Sequence, residues 1–337
     1  MSSTQDAHIT EAPAGVAPGQ IVRWKTLLPV GISVGLVVFL VWKISPTKLA
    51  YAAASLHWQP LVIASFGLVL GLYFWDALCI RWLFRGPQHP LSYAHALRAR
   101  GASYLLTALN YEVGQGMLAW SVARRQRIAV LTALGYCLLL AYHDLGVLLG
   151  FGLIGALQSG DPLALPLRWF CGISLVVVIG LAVLSWRLPA TWHARLAQTR
   201  WGAWMESWSW SRSLQLCVLR GAYYLLLLSY AAVGLSICGI AVGLQVVCSV
   251  IPIVLLTDGL PISVSGLGTR EATLLYLLHP DEPQALLAFS LVWSSTLVLG
   301  RLAIGLVAWW AAFDIRHTTF DIRHESLQTE DRSGEQS

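Results

Sequence analysis

Six stretches of this chain are each long and apolar enough to cross a lipid bilayer. They are Leu27–Ile44, Pro60–Ile80, Val130–Leu157, Leu167–Trp186, Leu214–Ile240 and Ala285–Phe313. About 20 mostly apolar residues are needed to span the hydrocarbon core as a helix, in which every backbone polar group is satisfied within the segment. Charged residues make up 12% of the chain, against roughly 25% in a soluble domain. A water-facing surface cannot be covered with so few. The mean hydropathy of +0.64 agrees. The expected fold is therefore an all-α polytopic membrane protein. Residues 21–315 form its transmembrane domain, between a disordered tail over 1–20 and a polar tail over 316–337. The first apolar run lacks a small-residue cleavage site followed by a soluble domain, so it is expected to be a retained anchor.

Two further stretches are apolar but interrupted. Ala94–Trp120 contains Arg98, Arg100, Asn110, Glu112, Gly114 and Gly116, and Gly243–Leu278 contains Pro252, Asp258, Gly259, Pro261, Gly266, Gly268, Arg270 and Glu271. Each has room for a helix, a break and a second helix. Cation placement predicts how they run. If both are re-entrant, 16 Lys and Arg fall on one side, which the positive-inside rule makes cytoplasmic, together with both termini. Three (Lys43, Lys48 and Arg168) fall outside, and three (Arg220, Arg270 and Arg301) lie within spans. Six spans plus two re-entrant segments follow. One segment enters from each side, which is the layout of an inverted repeat. The segments also share a faint likeness, Leu105-Leu106-Thr107 before Gly114-x-Gly116 and Leu255-Leu256-Thr257 before Gly266-x-Gly268.

Ionisable side chains at mid-bilayer cost roughly 2.5–3.5 kcal/mol each on insertion scales, so they must pair or line a polar pocket. This chain has Asp76, Glu112, His143, Asp144, Arg220, Asp258, Arg270, Glu271 and Arg301 at such positions. The densest site runs from Asp258 through Ser265, Gly266, Gly268 and Thr269 to Arg270 and Glu271. Its broken helix restarts with free N–H groups that favour an anion such as a lipid phosphate. Arg270 would add positive charge. The alternative is a structural Arg–Glu brace, in which Glu271 pairs with Arg270 or Arg301 or caps the helix. Asn110, Glu112, Gly114 and Gly116 form a second candidate, either a ligand contact or a Gly-rich helix crossing. Asp144, Arg220 and Arg301 are candidate charge partners. His143 beside Asp144 could relay protons, but adjacent residues diverge on a helix, so Asp144 is expected to pair with another span.

Trp201, Trp204 and Trp208 share a helical face near Arg195, Arg200 and Arg212, the composition of an interfacial helix. Gly31xxxGly35, Gly67xxxGly71 and Gly146xxxGly150 are expected to pack helices inside the fold. The six cysteines sit in apolar runs without a CxxC pair, which predicts buried thiols and no metal site. The net charge of +5 is explained by topology, so no nucleic-acid partner is expected. No nucleotide-binding loop, HExxH or GxSxG occurs, so neither a cofactor nor enzymatic activity is expected.

The stretch Leu260-Pro261-Ile-Ser-Val-Ser-Gly266-Leu-Gly268-Thr-Arg270-Glu271-Ala, with the leucine-rich helix after it, resembles the signature of the lysylphosphatidylglycerol synthase transmembrane, or flippase-like, family. Asn110 to Gly116, trailed by Arg124-Arg125, resembles that family's first-half motif, with Val113 and Gln115 in place of its more usual residues. The resemblance covers about residues 25–315. It implies a domain of the cell membrane that moves or presents a phospholipid or other polar-headed lipid without nucleotide, its headgroup held near the Gly266–Glu271 helix start. Membrane lipids would be its partners. The alternative is an accessory scaffold that retains a lipid-modifying enzyme, with the Trp-rich segment as docking face.

Overall fold

The computed structural model describes residues 18–55, 58–85, 91–107, 111–160, 163–187, 199, 209–259, 263, 266–280 and 283–334. Eleven helices run through them: α1 Pro18–Ile44, α2 Pro46–Ser55, α3 Trp58–Leu83, α4 Tyr93–Thr107, α5 Tyr111–Gln126, α6 Val130–Gln158, α7 Ala164–Arg187, α8 Trp210–Ile237, α9 Leu244–Asp258, α10 Thr269–Leu278 and α11 Pro283–Gly334. The chain is an all-α integral membrane protein. Five helices (α3, α6, α7, α8 and α11) are long and apolar enough to span. The first expected span ends at Ser45, whose φ of 78° turns the chain through 87° into α2, and the bent pair makes up to six. The polar C-terminal segment continues α11 as far as Gly334.

Both interrupted stretches are helix–break–helix hairpins. Hairpin 1 is α4 packed on α5, and hairpin 2 is α9 packed on α10. The first helix of each has 15 residues, or about 22 Å at 1.5 Å per residue, short of the roughly 30 Å hydrocarbon core. Neither hairpin leaves by the far side. The side chain of Gln126, at the end of α5, donates from Nε2 to the carbonyl of Phe84, just past the end of α3, at 2.8 Å. Phe84 also packs on Tyr136 in the first turns of α6, ring centroids 5.0 Å apart. Hairpin 1 therefore starts and finishes at one face. Hairpin 2 does the same, because Phe289 near the start of α11 stacks on Tyr230 near the end of α8.

The two faces are opposite ones. Ser65 meets Tyr230 at 2.7 Å, and Trp75 donates its indole N–H to the Leu219 carbonyl at 2.8 Å. Ascending positions on α3 thus meet descending positions on α8, so these helices are antiparallel and their C-terminal ends lie at opposite faces. Packing repeats the relation. α4 lies on α11 as α9 lies on α6, and α5 packs on α6 as α10 packs on α11. The halves α3–α6 and α8–α11 are arranged as an inverted repeat, with α7 as the connecting span. The Leu-Leu-Thr likeness falls at equivalent places, the ends of α4 and α9. The Gly-x-Gly likeness does not. Gly114 and Gly116 lie inside α5, whereas Gly266 and Gly268 precede α10 with φ of 79° and 91°.

Lipid tails are as apolar as the helices, so association depends on close packing rather than on hydrophobic burial. Small residues supply it, but of the expected glycines only Gly146 meets another helix, at Val178 on α7. A Cβ on Gly31, Gly35, Gly67, Gly71 or Gly150 would meet no described atom within 4 Å. A Cβ on Gly155 would overlap the backbone of Cys248 and Ser249 on α9, and one on Gly305 would overlap Leu105 on α4. These two glycines seat the equivalent crossings of the repeat. Phe289 and Trp293 are fully buried where α8, α9 and α11 meet. α7 touches mainly α6 and leaves most of its surface to lipid. Arg168, at its start, donates to the carbonyls of Ala156 and Ser159 and closes the end of α6.

Candidate functional site

Two clusters of charge lie inside the helix bundle. The first joins four helices. Asp76 (α3) accepts from Nη1 of Arg220 (α8) at 2.7 Å and lies 2.5 Å from Nε of Arg100 (α4). Arg220 also grips Asp144 (α6) in a bidentate pair, with its Nη2 bond at 2.8 Å. A planar guanidinium fork suits this bidentate recognition better than a lysine would. Arg100 lies over the Tyr104 ring, and Arg220 lies 4.1 Å from the centroid of Tyr223 and 5.4 Å from that of Tyr224. Two arginines and two aspartates balance, which removes most of the cost of burying any one alone. Among the described residues, Nη1 of Arg100 is buried and meets no hydrogen-bond partner.

The second cluster closes hairpin 2. Arg270, in the first turn of α10, bonds Oδ2 of Asp258, the last residue of α9, through both Nε (3.1 Å) and Nη2. Its Nη1 donates to Ser294 Oγ on α11 at 3.2 Å, and its guanidinium lies 4.9 Å from the centroid of Trp293. Ser294 donates to Oε1 of Glu271 at 2.6 Å, while Oε2 accepts from the Gly268 N–H at 2.5 Å. Glu271 therefore caps its own helix, the role of the third residue in a capping box. Ser263 and Thr269 share a 2.8 Å bond beside it. Gly266 lies directly against the Asp258 carboxylate, where a side chain would collide. Among the described residues, Oδ1 of Asp258 is buried and meets no hydrogen-bond partner.

Of the residues expected at this site, Asp258, Gly266, Gly268, Thr269, Arg270 and Glu271 come together, and Ser265 lies outside the described residues. The partner of Arg270 is Asp258, across the break, and not Glu271. Among the described residues, Arg270 is committed to the brace with Asp258 and Ser294. In the second stretch, Asn110 lies outside the described residues. Gly114 packs tightly against Thr107 where α4 and α5 cross, and a Cβ on Gly116 would meet nothing. Glu112 is exposed in the first turn of α5 and makes no ion pair among the described residues. Asp144 and Arg220 pair as expected. His143 turns away, its Nδ1 at 2.8 Å from the Leu139 carbonyl. Arg301 makes no ion pair among the described residues. It lies 5.8 Å from the Tyr104 centroid, half-buried, close enough for its charge to act on Asp258, Tyr104 and Tyr223. Ser294 and Arg301 are seven residues apart on α11, about 10 Å along one face. Arg301 thus stands between the clusters.

Sequence spacing missed Arg100, which the cation count assigns to an interface. Arg98 two positions earlier is exposed, whereas Arg100 is buried with Ala96, Ser103 and Thr107. Tyr104 one turn on was the available signal. The segment with Trp201, Trp204 and Trp208, and Arg195 and Arg200 beside it, lies outside the described residues. No known family model matches the chain, and no curated protein matches it.

Proposed function

We propose that this integral membrane protein moves or presents a polar-headed lipid by a nucleotide-independent, flippase-like route, and that it is a member of the lysylphosphatidylglycerol synthase transmembrane family. The observation that carries the proposal is the exposed Glu112 at the tip of hairpin 1. The tip lies about 22 Å from the face the hairpin enters by. A carboxylate at that depth is costly against hydrocarbon, which supports a water-accessible surface at the tip. The opposed tips of an inverted repeat are where transporters place their substrates. Arg301, between the clusters and without an ion pair among the described residues, is the cation offered to a headgroup phosphate. Arg81, Arg85, Arg124, Arg125 and Arg127 support a cytoplasmic placement of the hairpin 1 face.

The test is lipid flip-flop in proteoliposomes, with fluorescent phospholipid and an impermeant quencher. Arg301→Gln and Glu112→Gln are the informative variants, since changing Arg270 also opens the brace. Wild-type protein is expected to accelerate flip, and Arg301→Gln to slow it about tenfold, the loss of one charge-assisted contact. Wild-type rates equal to empty liposomes across anionic and zwitterionic lipids would overturn the proposal in favour of an accessory scaffold.

A further inference from the structure

A cavity of about 390 Å³ lies at the hairpin 1 end of α3, lined by Leu78, Arg81, Trp82, Arg85 and Leu91. Leu91 is buried beneath it, while Arg81 and Arg85 are exposed. The two arginines are four residues apart and so are neighbours on one helix face, about 5–6 Å between Cβ atoms. Guanidinium groups so placed can close on one phosphate from two sides. From Ala77 to His143 the only acid in the sequence is Glu112, at the distant tip of hairpin 1, while Arg124, Arg125 and Arg127 sit at the same face as the cavity. A second feature points to lipid. Ile63, Phe66, Leu70 and Phe74 are exposed along α3 at helical spacing, and Leu78, Arg81 and Arg85 continue that stripe. An acyl chain laid along the stripe ends with its headgroup in the cavity.

We propose that this cavity binds the headgroup phosphate of an anionic phospholipid, with its tail along the exposed stripe of α3. The site is peripheral to the charge clusters and does not depend on transport. Basic pockets of this kind between membrane helices on the arginine-rich side hold acidic headgroups.

The test is native mass spectrometry of the full-length protein with phosphatidylglycerol, with phosphatidylcholine, and with inorganic phosphate as competitor. Wild-type protein is expected to retain phosphatidylglycerol in preference to phosphatidylcholine. Arg81→Gln with Arg85→Gln is expected to weaken retention about twenty-five-fold, each cation being worth about fivefold at an anionic surface. The double lysine variant is expected to keep most of it. Equal retention of the two lipids by wild type would overturn the proposal, as would an unchanged Gln variant. Displacement of lipid by millimolar inorganic phosphate would overturn the lipid assignment in favour of a free-anion site. If the Gln variant does not melt cooperatively, the wild-type lipid preference and the lysine variant decide.

Discussion

Gln126 closes hairpin 1 by donating its side-chain amide to the Phe84 carbonyl at 2.8 Å, although 42 residues separate them. That bond ties the exit of the hairpin to its entrance and forces both onto one membrane face. The antiparallel contact of α3 with α8 forces hairpin 2 onto the other. Single cysteines replacing Arg85 and Arg127, in a background without the native thiols, should react with an impermeant maleimide from one side only. Cysteines replacing Ile240 and Pro280 should react from the opposite side. Labelling of positions 85 and 127 from different sides would make α4 and α5 a full crossing and remove the inverted arrangement.

Arg220 is the keystone of the first cluster, since among the described residues it alone pairs with both Asp76 and Asp144. Replacing it with Met strands two buried carboxylates near mid-membrane. Breaking a buried pair by removing one partner costs about 3–5 kcal/mol. The variant should lose most of its thermal stability in detergent and elute as aggregate in size-exclusion chromatography. Arg220→Gln and Asp144→Asn should also be strongly non-additive in a double-mutant cycle. A melting temperature for Arg220→Met equal to wild type would show that the cluster contributes nothing to the fold.

Local pattern made the spans and the hairpins legible, and cation counting made their orientation legible relative to one another. Apolar length and Gly/Pro breaks are one-dimensional signals of the structures that hydrocarbon permits. Partners were not legible where three dimensions choose them. Arg270 has Glu271 beside it in sequence, but the side chains diverge on the helix, and the folded hairpin delivers Asp258 instead. Arg100 looked interfacial because it follows Arg98, yet a 100° step per residue turns one to the surface and the other to Asp76. Apart from Gly146, which meets Val178, the glycine pairs face no described neighbour for a similar reason. Spacing marks a smooth helix face without marking which faces meet, and the crossings use Gly155 and Gly305.

Gly266 and Gly116 are expected to respond to Ala in opposite directions. Gly266 has φ of 79° and sits against the Asp258 carboxylate. A side chain there costs about 1–3 kcal/mol in backbone strain alone and also displaces the ion pair. Gly116 is helical with open space around it, so Ala should stabilise by up to about 1 kcal/mol. Parallel melts of the two variants check this. Equal effects would mean that the turn before α10 is not the strained one.

The carboxylate of Glu271 holds two donors, the Gly268 N–H and the Ser294 hydroxyl. Gln in its place can still accept from the Gly268 N–H through its single oxygen, as capping boxes with Gln do. Its amide would then face Ser294, whose hydroxyl proton loses its acceptor, a cost of about 1 kcal/mol. Ala leaves both donors buried and unsatisfied and opens a void, costing about 2–5 kcal/mol. Thermal melts should therefore rank wild type above Glu271→Gln, and Glu271→Gln well above Glu271→Ala. Proteolysis between α9 and α10 should rise only for Ala. Equal damage from Gln and Ala would mean that the negative charge itself, acting on Arg270, is what the hairpin requires. In that case the cap would be incidental to holding the start of α10 in the membrane.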